Sequence, residues 1–167
     1  TFEASAKAFY TTTKRLGKEQ YLVPYLMSSH PGSKLEDAVE LALFLKKHHM
    51  RPEQVQDFYP TPGTASTCMF YTGLDPFTME PVYVPRTQEE KRLQRALLQY
   101  YRPDLRRTVI EALVKAHRRD LIGHGPDCLV PPDREYIQQY GNATARQDKG
   151  RSSTRQGGRK NAGGRKA

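Results

Sequence analysis

Long apolar runs are missing from this 167-residue chain. None approaches the ~18 residues a membrane-crossing helix needs, and no signal peptide is present, so no membrane partner is expected. Cysteine is scarce: Cys68 and Cys128 stand alone, 60 positions apart. That spacing excludes a disulfide framework, and the chain is expected in a reducing, cytoplasmic setting. It also excludes an iron–sulfur cluster held by this chain alone, which needs closely spaced thiolates. His117, His124 and Cys128 are too loosely spaced to argue for zinc, so no metal ligand is assigned. No glycine-rich phosphate loop, Ser-His-Asp order or paired-carboxylate constellation stands out. Apolar residues make up only 37% of the chain and mean hydropathy is −0.78, so the core is modest and about one domain is expected.

Acidic charge is short as well, and unevenly so. The net charge is +9, of which residues 141–167 carry +7 and residues 1–140 only +2. The 141–167 stretch holds six glycines and no aromatic residue. It cannot bury enough surface to offset its ordering entropy, so it is expected to be a disordered basic tail. Such a tail is either a solubilising appendage or a weak, salt-sensitive contact with RNA. It lacks the aromatic platforms on which single-stranded bases stack.

What is there centres on residues 21–64: YLVPYLMSS, HPGS, a helical stretch, VQDFY and PTPGT. This reads as one βαβ unit. Tyr21 to Met27 is nearly unbroken apolar, as for a parallel strand covered on both faces. Ser33 and Glu36 form a Ser-x-x-Glu capping box that starts a helix at Lys34. Leu35, Ala38, Val39, Ala42 and Leu45 recur at helical spacing, so that face is expected to pack on the sheet. Arg51-Pro52 closes the unit's helical part. Val55 to Tyr59 is the second strand. Both strands lead into loops at the edge where α/β sheets bind ligands.

Before this unit, Phe2 to Leu16 reads as a helix closed by Gly17. After it, Thr64 to Pro85 reads as irregular, with a short strand or hairpin. Thr87 to Glu90 is a second capping box, opening a helix to about Tyr101. Arg102-Pro103 breaks the pattern, and a further helix runs from Leu105 to about His117. A loop spans Arg119 to Pro132, and a short helical or extended piece lies around Glu135 to Tyr140. The chain has no initiator Met and one βαβ unit, and it reads as a piece of a larger sheet.

Together, YLVPYLMSS-HPGS, QVQDFYPTPGTASTCMFYTGLDP, VYVPR, EKRLQRALLQYY and RRDLIGHGPDCLVPP resemble the C-terminal part of YgiQ-type radical S-adenosylmethionine (SAM) proteins, over Phe2 to Pro132. The resemblance implies an α/β fold: the last βαβ portion of a radical SAM partial (β/α)6 barrel in residues 1–73, then a helical extension in 74–140. It implies a whole protein that cleaves SAM to a 5′-deoxyadenosyl radical with a [4Fe-4S] cluster, acting on an unknown substrate. The cluster cysteines belong upstream, so the upstream half of the same protein is the implied partner and this chain alone should be inactive. In such barrels a GxIxGxxE-like motif lies beside the adenosine. The shared Pro-Gly places Leu26 at its apolar position, Ser29 where a glycine is common and Ser33 near the acidic place. Ser29 and Ser33 both depart from that pattern. The implied cofactor-binding residues are Leu26, Ser28, Ser29, His30, Phe58, Tyr59 and Pro60, with His30 the candidate catalytic group. His30 as a plain loop histidine bonded to backbone carbonyls is the competing reading.

Two function classes follow: part of a radical SAM enzyme, or a small α/β binding module whose basic tail contacts RNA or ribosomes. The composition of residues 141–167 gives a direct expectation. Limited proteolysis should cut there before any site in residues 1–140 is lost; a stable product that keeps the tail would count against it.

Overall fold

The computed structural model describes residues 1–141; the basic stretch read from residues 142–167 lies outside them. The elements are α1 (Phe2–Arg15), β1 (Leu26–Ser28), α2 (Leu35–Lys47), β2 (Val55–Asp57), α3 (Ala65–Thr72), α4 (Gln88–Leu98) and α5 (Arg106–Lys115). Short 3-10 turns lie at Pro103–Leu105 and Arg119–Leu121, and residues 134–141 are helical. The strands pair in parallel, Leu26 with Val55, Met27 with Gln56 and Ser28 with Asp57, so α2 is the crossover of a βαβ unit.

The first strand is much shorter than the apolar run suggested. Tyr21 to Tyr25 is extended but unpaired, because β2 offers partners only from Val55 onward. It is also not covered on both faces: Val23 is 85% exposed and Tyr25 68%. Side chains alternate across a strand, so Tyr25 and Met27 share the open face with Gln56, and Tyr25 Oη donates to Gln56 Oε1 at 2.5 Å.

The packing partner of α2 also differs from expectation. Ala38, Val39, Ala42 and Leu45 are buried, but this face lies chiefly against α4 rather than against the strands. α4 is the element that meets α2, α5 and both strands. The core accordingly joins α2, α4 and α5 through Val39, Ala42, Leu93, Leu97, Val109 and Leu113. Leu121, Ile122, Leu129 and Val130 close it from the segment after α5, and Tyr136 from the last helical stretch. Each fully buried leucine, such as Leu97, contributes about 1.5–3 kcal/mol.

Caps explain where the helices begin. Ser33 does not cap α2. Its N–H donates to the His30 carbonyl and its own carbonyl accepts from Gln94, so it belongs to a turn. The cap moves to Lys34, whose N–H donates to Asp37 rather than engaging Glu36. Thr64–Pro85 is not irregular throughout: α3 starts at Thr64, whose hydroxyl accepts from Thr67 N–H, and ends at Gly73 at φ 71. That left-handed residue suits glycine. A bridge between Leu74 and Pro81 supplies the expected hairpin. α1 ends beside Gly17 at φ 63, as its sequence indicated. α4 stops at Leu98, three residues short of the expected Tyr101.

The α4 capping box is formed as expected. Thr87 Oγ1 accepts from Glu90 N–H at 3.1 Å, and Glu90 Oε2 accepts from Thr87 N–H at 3.0 Å. Tyr83 Oη also donates to Glu90 at 2.5 Å. These donors, the Tyr83 hydroxyl foremost, lower the Glu90 carboxyl from 4.5 to about 2. Desolvation and the same hydrogen bond push Tyr83 up to about 12. A carboxyl depressed on folding stabilises the fold above its unfolded value and loses that contribution as pH falls toward the folded one. Glu90→Gln should therefore lower stability by about 1 kcal/mol at pH 7, the usual worth of a cap. The difference in melting temperature from wild type should shrink below pH 4.5 and vanish near 2; a pH-independent difference would contradict the assignment.

Candidate functional site

β1 and β2 run parallel, so the loops that follow them, 29–33 and 58–64, leave from one edge of the sheet. Three fastenings hold that edge. Phe58 N–H donates to the Ser28 carbonyl at 2.8 Å, extending the ladder past the last strand residue. Ser28 Oγ donates to Asp57 Oδ1 at 2.7 Å, and Arg95 of α4 donates to Asp57 Oδ2 at 2.6 Å. Gln94 of α4 accepts from Ser29 N–H at 3.0 Å and donates to the Ser33 carbonyl at 2.9 Å.

His30 joins the two loops. Its Nδ1 lies 2.8 Å from the Pro31 carbonyl oxygen and its Nε2 2.9 Å from Ser66 Oγ, on the first turn of α3. A carbonyl can only accept, so Nδ1 carries the proton. In the neutral ring Nε2 then accepts from the Ser66 hydroxyl, and that nitrogen is the atom able to take up a proton. The ring also stands edge-on to Phe58, with centroids 5.0 Å apart, and Phe58 continues to Phe70 at 5.7 Å. The backbone carbonyl contact expected of a loop histidine is present, and the bond to Ser66 is added to it.

The seven candidates from the sequence fall into two groups. Leu26 is half-buried, and Ser28 and Ser29 are buried beneath α4, where Asp57 and Gln94 engage them. His30, Phe58, Tyr59 and Pro60 gather at the loop edge, with Tyr59 81% exposed. Clefts of about 350, 300, 450 and 490 Å³ occur elsewhere on the described surface, none lined by residues 28–30 or 58–60. The two strand-end loops lie side by side at one edge of the sheet.

Among the described residues, no group of three or more His, Cys, Asp or Glu side chains converges to hold a metal ion. Cys68 is exposed on α3 and Cys128 is half-buried in the distant C-terminal loop. Sequence reasoning missed Asp57, Ser66, Gln94 and Arg95. Ser66 had a signal, because Thr64 and Gly73 delimit a helix. Gln94 and Arg95 had none, because their partners lie 61 to 65 and 38 residues away.

Ser29 stands in the left-handed region at φ 61, and its Oγ is buried without a partner. A left-handed non-glycine residue costs roughly 1–2 kcal/mol, and an unsatisfied buried hydroxyl adds to that. Ser29→Gly relieves both while keeping the N–H that Gln94 accepts. It should raise stability by about 1 kcal/mol, partly offset by unfolded-state entropy. A lower thermal or denaturant midpoint would show that the hydroxyl contributes a bond of its own.

Residues 53–167 match a family model described as a domain of unknown function, DUF3362. A UPF0313 protein of Clostridium perfringens (strain 13 / Type A) is 55% identical over 161 residues, which are 96% of this chain and 23% of that relative. A UPF0313 protein of Clostridium botulinum (strain 657 / Type Ba4) is 60% identical over 130 residues, 78% of this chain and 20% of the relative. The chain thus spans less than a quarter of the length of these relatives. No solved structure matches it. With the family model covering more than half of its residues, the chain belongs to the DUF3362 family.

Proposed function

We propose that the chain is the C-terminal portion of a radical SAM enzyme, contributing the last βαβ unit of a partial barrel and the helical layer that supports it. Residues 1–73 carry that unit and 74–140 the extension. The strand-end loops form one wall of a pocket that the upstream part completes. The observation that carries this reading is the seating of His30 between Phe58 and Ser66, which joins the loop after β1 to the loop after β2 and to α3 behind it. The YgiQ-type motifs quoted above, and relatives more than four times the length of this chain, support it.

The implied cofactors fit the chain unequally. A [4Fe-4S] cluster does not fit its two separated cysteines, so its ligands come from elsewhere in the protein. SAM fits better at the adenosine end, where Tyr59 presents an open aromatic face beside His30, whose ring is held in place by Pro31 and Ser66. When bound at such a cluster, SAM supplies a 5′-deoxyadenosyl radical; this chain orients the adenosine and excludes water from one side. Ser28 and Ser29 shape the wall from behind. The substrate is left to the upstream part, and the cytoplasm is the proposed location.

In the full-length protein, His30→Ala and Tyr59→Ala should each reduce formation of 5′-deoxyadenosine at least about tenfold, as expected for losing a positioning contact. Iron content should stay at the wild-type level. The isolated 167-residue chain should bind no iron. Wild-type cleavage by both variants would remove the wall from the site, and iron held by the isolated chain would overturn the division of labour.

A further inference from the structure

Two glutamines on and just after α4 are almost completely buried, Gln94 at 2% exposure and Gln99, the residue that follows the helix, at 6%. A buried carboxamide is tolerated only when its donors and acceptor are used. Gln99 serves the N-terminal edge of the sheet, donating to the Glu53 carbonyl at 2.8 Å. Gln94 serves the C-terminal edge and uses both ends of its amide. Its Oε1 takes the Ser29 N–H and its Nε2 reaches the Ser33 carbonyl.

These two bonds bracket the loop that carries His30. They also act where the loop resists: Ser29 is left-handed, and its hydroxyl has no partner to hold it there. A leucine would fill the same volume but satisfy neither backbone group. One rigid planar amide on both flanks fixes the span between residues 29 and 33, and with it the plane of the imidazole between Pro31 and Ser66.

We infer that Gln94 is the positioning residue of the strand-end wall: its carboxamide, clamped between Ser29 N–H and the Ser33 carbonyl, sets the orientation of His30. Gln94 lies behind the loop and acts through it. The inference rests on the pocket reading above.

Exchanging the amide for a carboxyl separates positioning from packing. A protonated glutamic acid at 94 reproduces both bonds; the carboxylate accepts from Ser29 but faces the Ser33 oxygen with a lone pair. The charged and titratable groups around position 94 include Lys34 and Glu36 at the start of α2, Tyr83, Glu89 and Glu90 by the start of α4, Lys115 of α5, and His30 in the clamped loop itself. The Arg95–Asp57 pair adjoins them. Three carboxylates against two lysines, together with burial, raise the introduced carboxyl above its usual range.

The experiment compares Gln94→Leu, Gln94→Glu and Gln99→Leu. Amide hydrogen exchange is followed in the 167-residue chain. SAM KM, turnover to 5′-deoxyadenosine and iron content are followed in the full-length protein. Gln94→Leu should speed exchange at Ser29 and raise KM for SAM, each by about tenfold, the order expected for one lost buried hydrogen bond. Iron content should not change. Gln99→Leu should lower the melting temperature comparably yet leave Ser29 exchange and KM within about twofold of wild type. In KM for SAM, Gln94→Glu should approach Gln94→Leu near pH 8, where the bond to Ser33 is lost, and wild type by about pH 6, each value taken relative to wild type at the same pH, while its Ser29 N–H stays protected at both. Unchanged Ser29 exchange or KM in Gln94→Leu overturns the inference. So does a Gln99→Leu that moves both as far, or a Gln94→Glu without pH dependence. If Gln94→Leu does not fold, the Gln94→Glu series decides. If wild-type protein fails to cleave SAM, the pocket reading falls; the Ser29 exchange comparison then decides the clamp, and its loss as well would end both.

Discussion

The two strands, α2 and α5 all meet at α4, and α4 is held by a constraint that apolar packing alone does not impose. Its apolar positions, Leu93, Ala96 and Leu97, sit in the core with α2 and α5. Gln94 within the helix and Gln99 just past its end are buried too, each facing backbone of the βαβ unit. An amide buried without a partner costs roughly 2–7 kcal/mol, so α4 cannot slide or rotate without stranding Gln94 or Gln99. Hydrophobic burial is non-directional and tolerates small shifts, whereas these bonds do not. The polar contacts thereby fix the register of a helix whose burial supplies most of the stability.

The same contacts set the character of the strand ends. A two-stranded parallel sheet is marginal by itself. Here one face is covered by α4, and both strand ends are fastened from that side: β1's loop through Gln94, β2 through Arg95 and Asp57. The Arg95–Asp57 pair is partly exposed, so its worth is modest, about 1 kcal/mol or less. Its role lies more in aiming Asp57 at Ser28. The opposite face, with Val23, Tyr25, Met27 and Gln56, is open within the described residues. Within the described residues the sheet therefore has a covered face and an open face, and His30 and Tyr59 follow its two strands at the C-terminal edge.

Much of the local structure was legible before folding was considered. The βαβ order, the helix starting after Thr87 and the stop near Gly17 rest on capping and turn chemistry acting within a few residues. Other local readings went astray for physical reasons. Ser33 resembled a cap, but the tertiary bond to its carbonyl placed it in a turn. α3 was overlooked because it buries no residue and so leaves no apolar stripe, although Thr64 and Gly73 mark its ends. The apolar run from Tyr21 to Met27 looked like a fully covered strand, yet hydropathy cannot report whether a neighbour is present to pair with its first half.

The sequence by itself determined most of the helical segments, α3 excepted, the order of the βαβ unit, and that two separated cysteines cannot hold a cluster. Those properties follow from propensities, caps and inventory, which need no distant partner. Only the tertiary structure decided that α2 packs on α4 rather than on the sheet, that Ser28 and Ser29 turn inward, and that His30 meets Ser66. Amphipathic spacing says that a face will be buried but not against what. A side-chain hydrogen bond spanning 36 residues, or 65 for Ser29 and Gln94, leaves no periodic trace in the chain, because its geometry exists only once the layers have met.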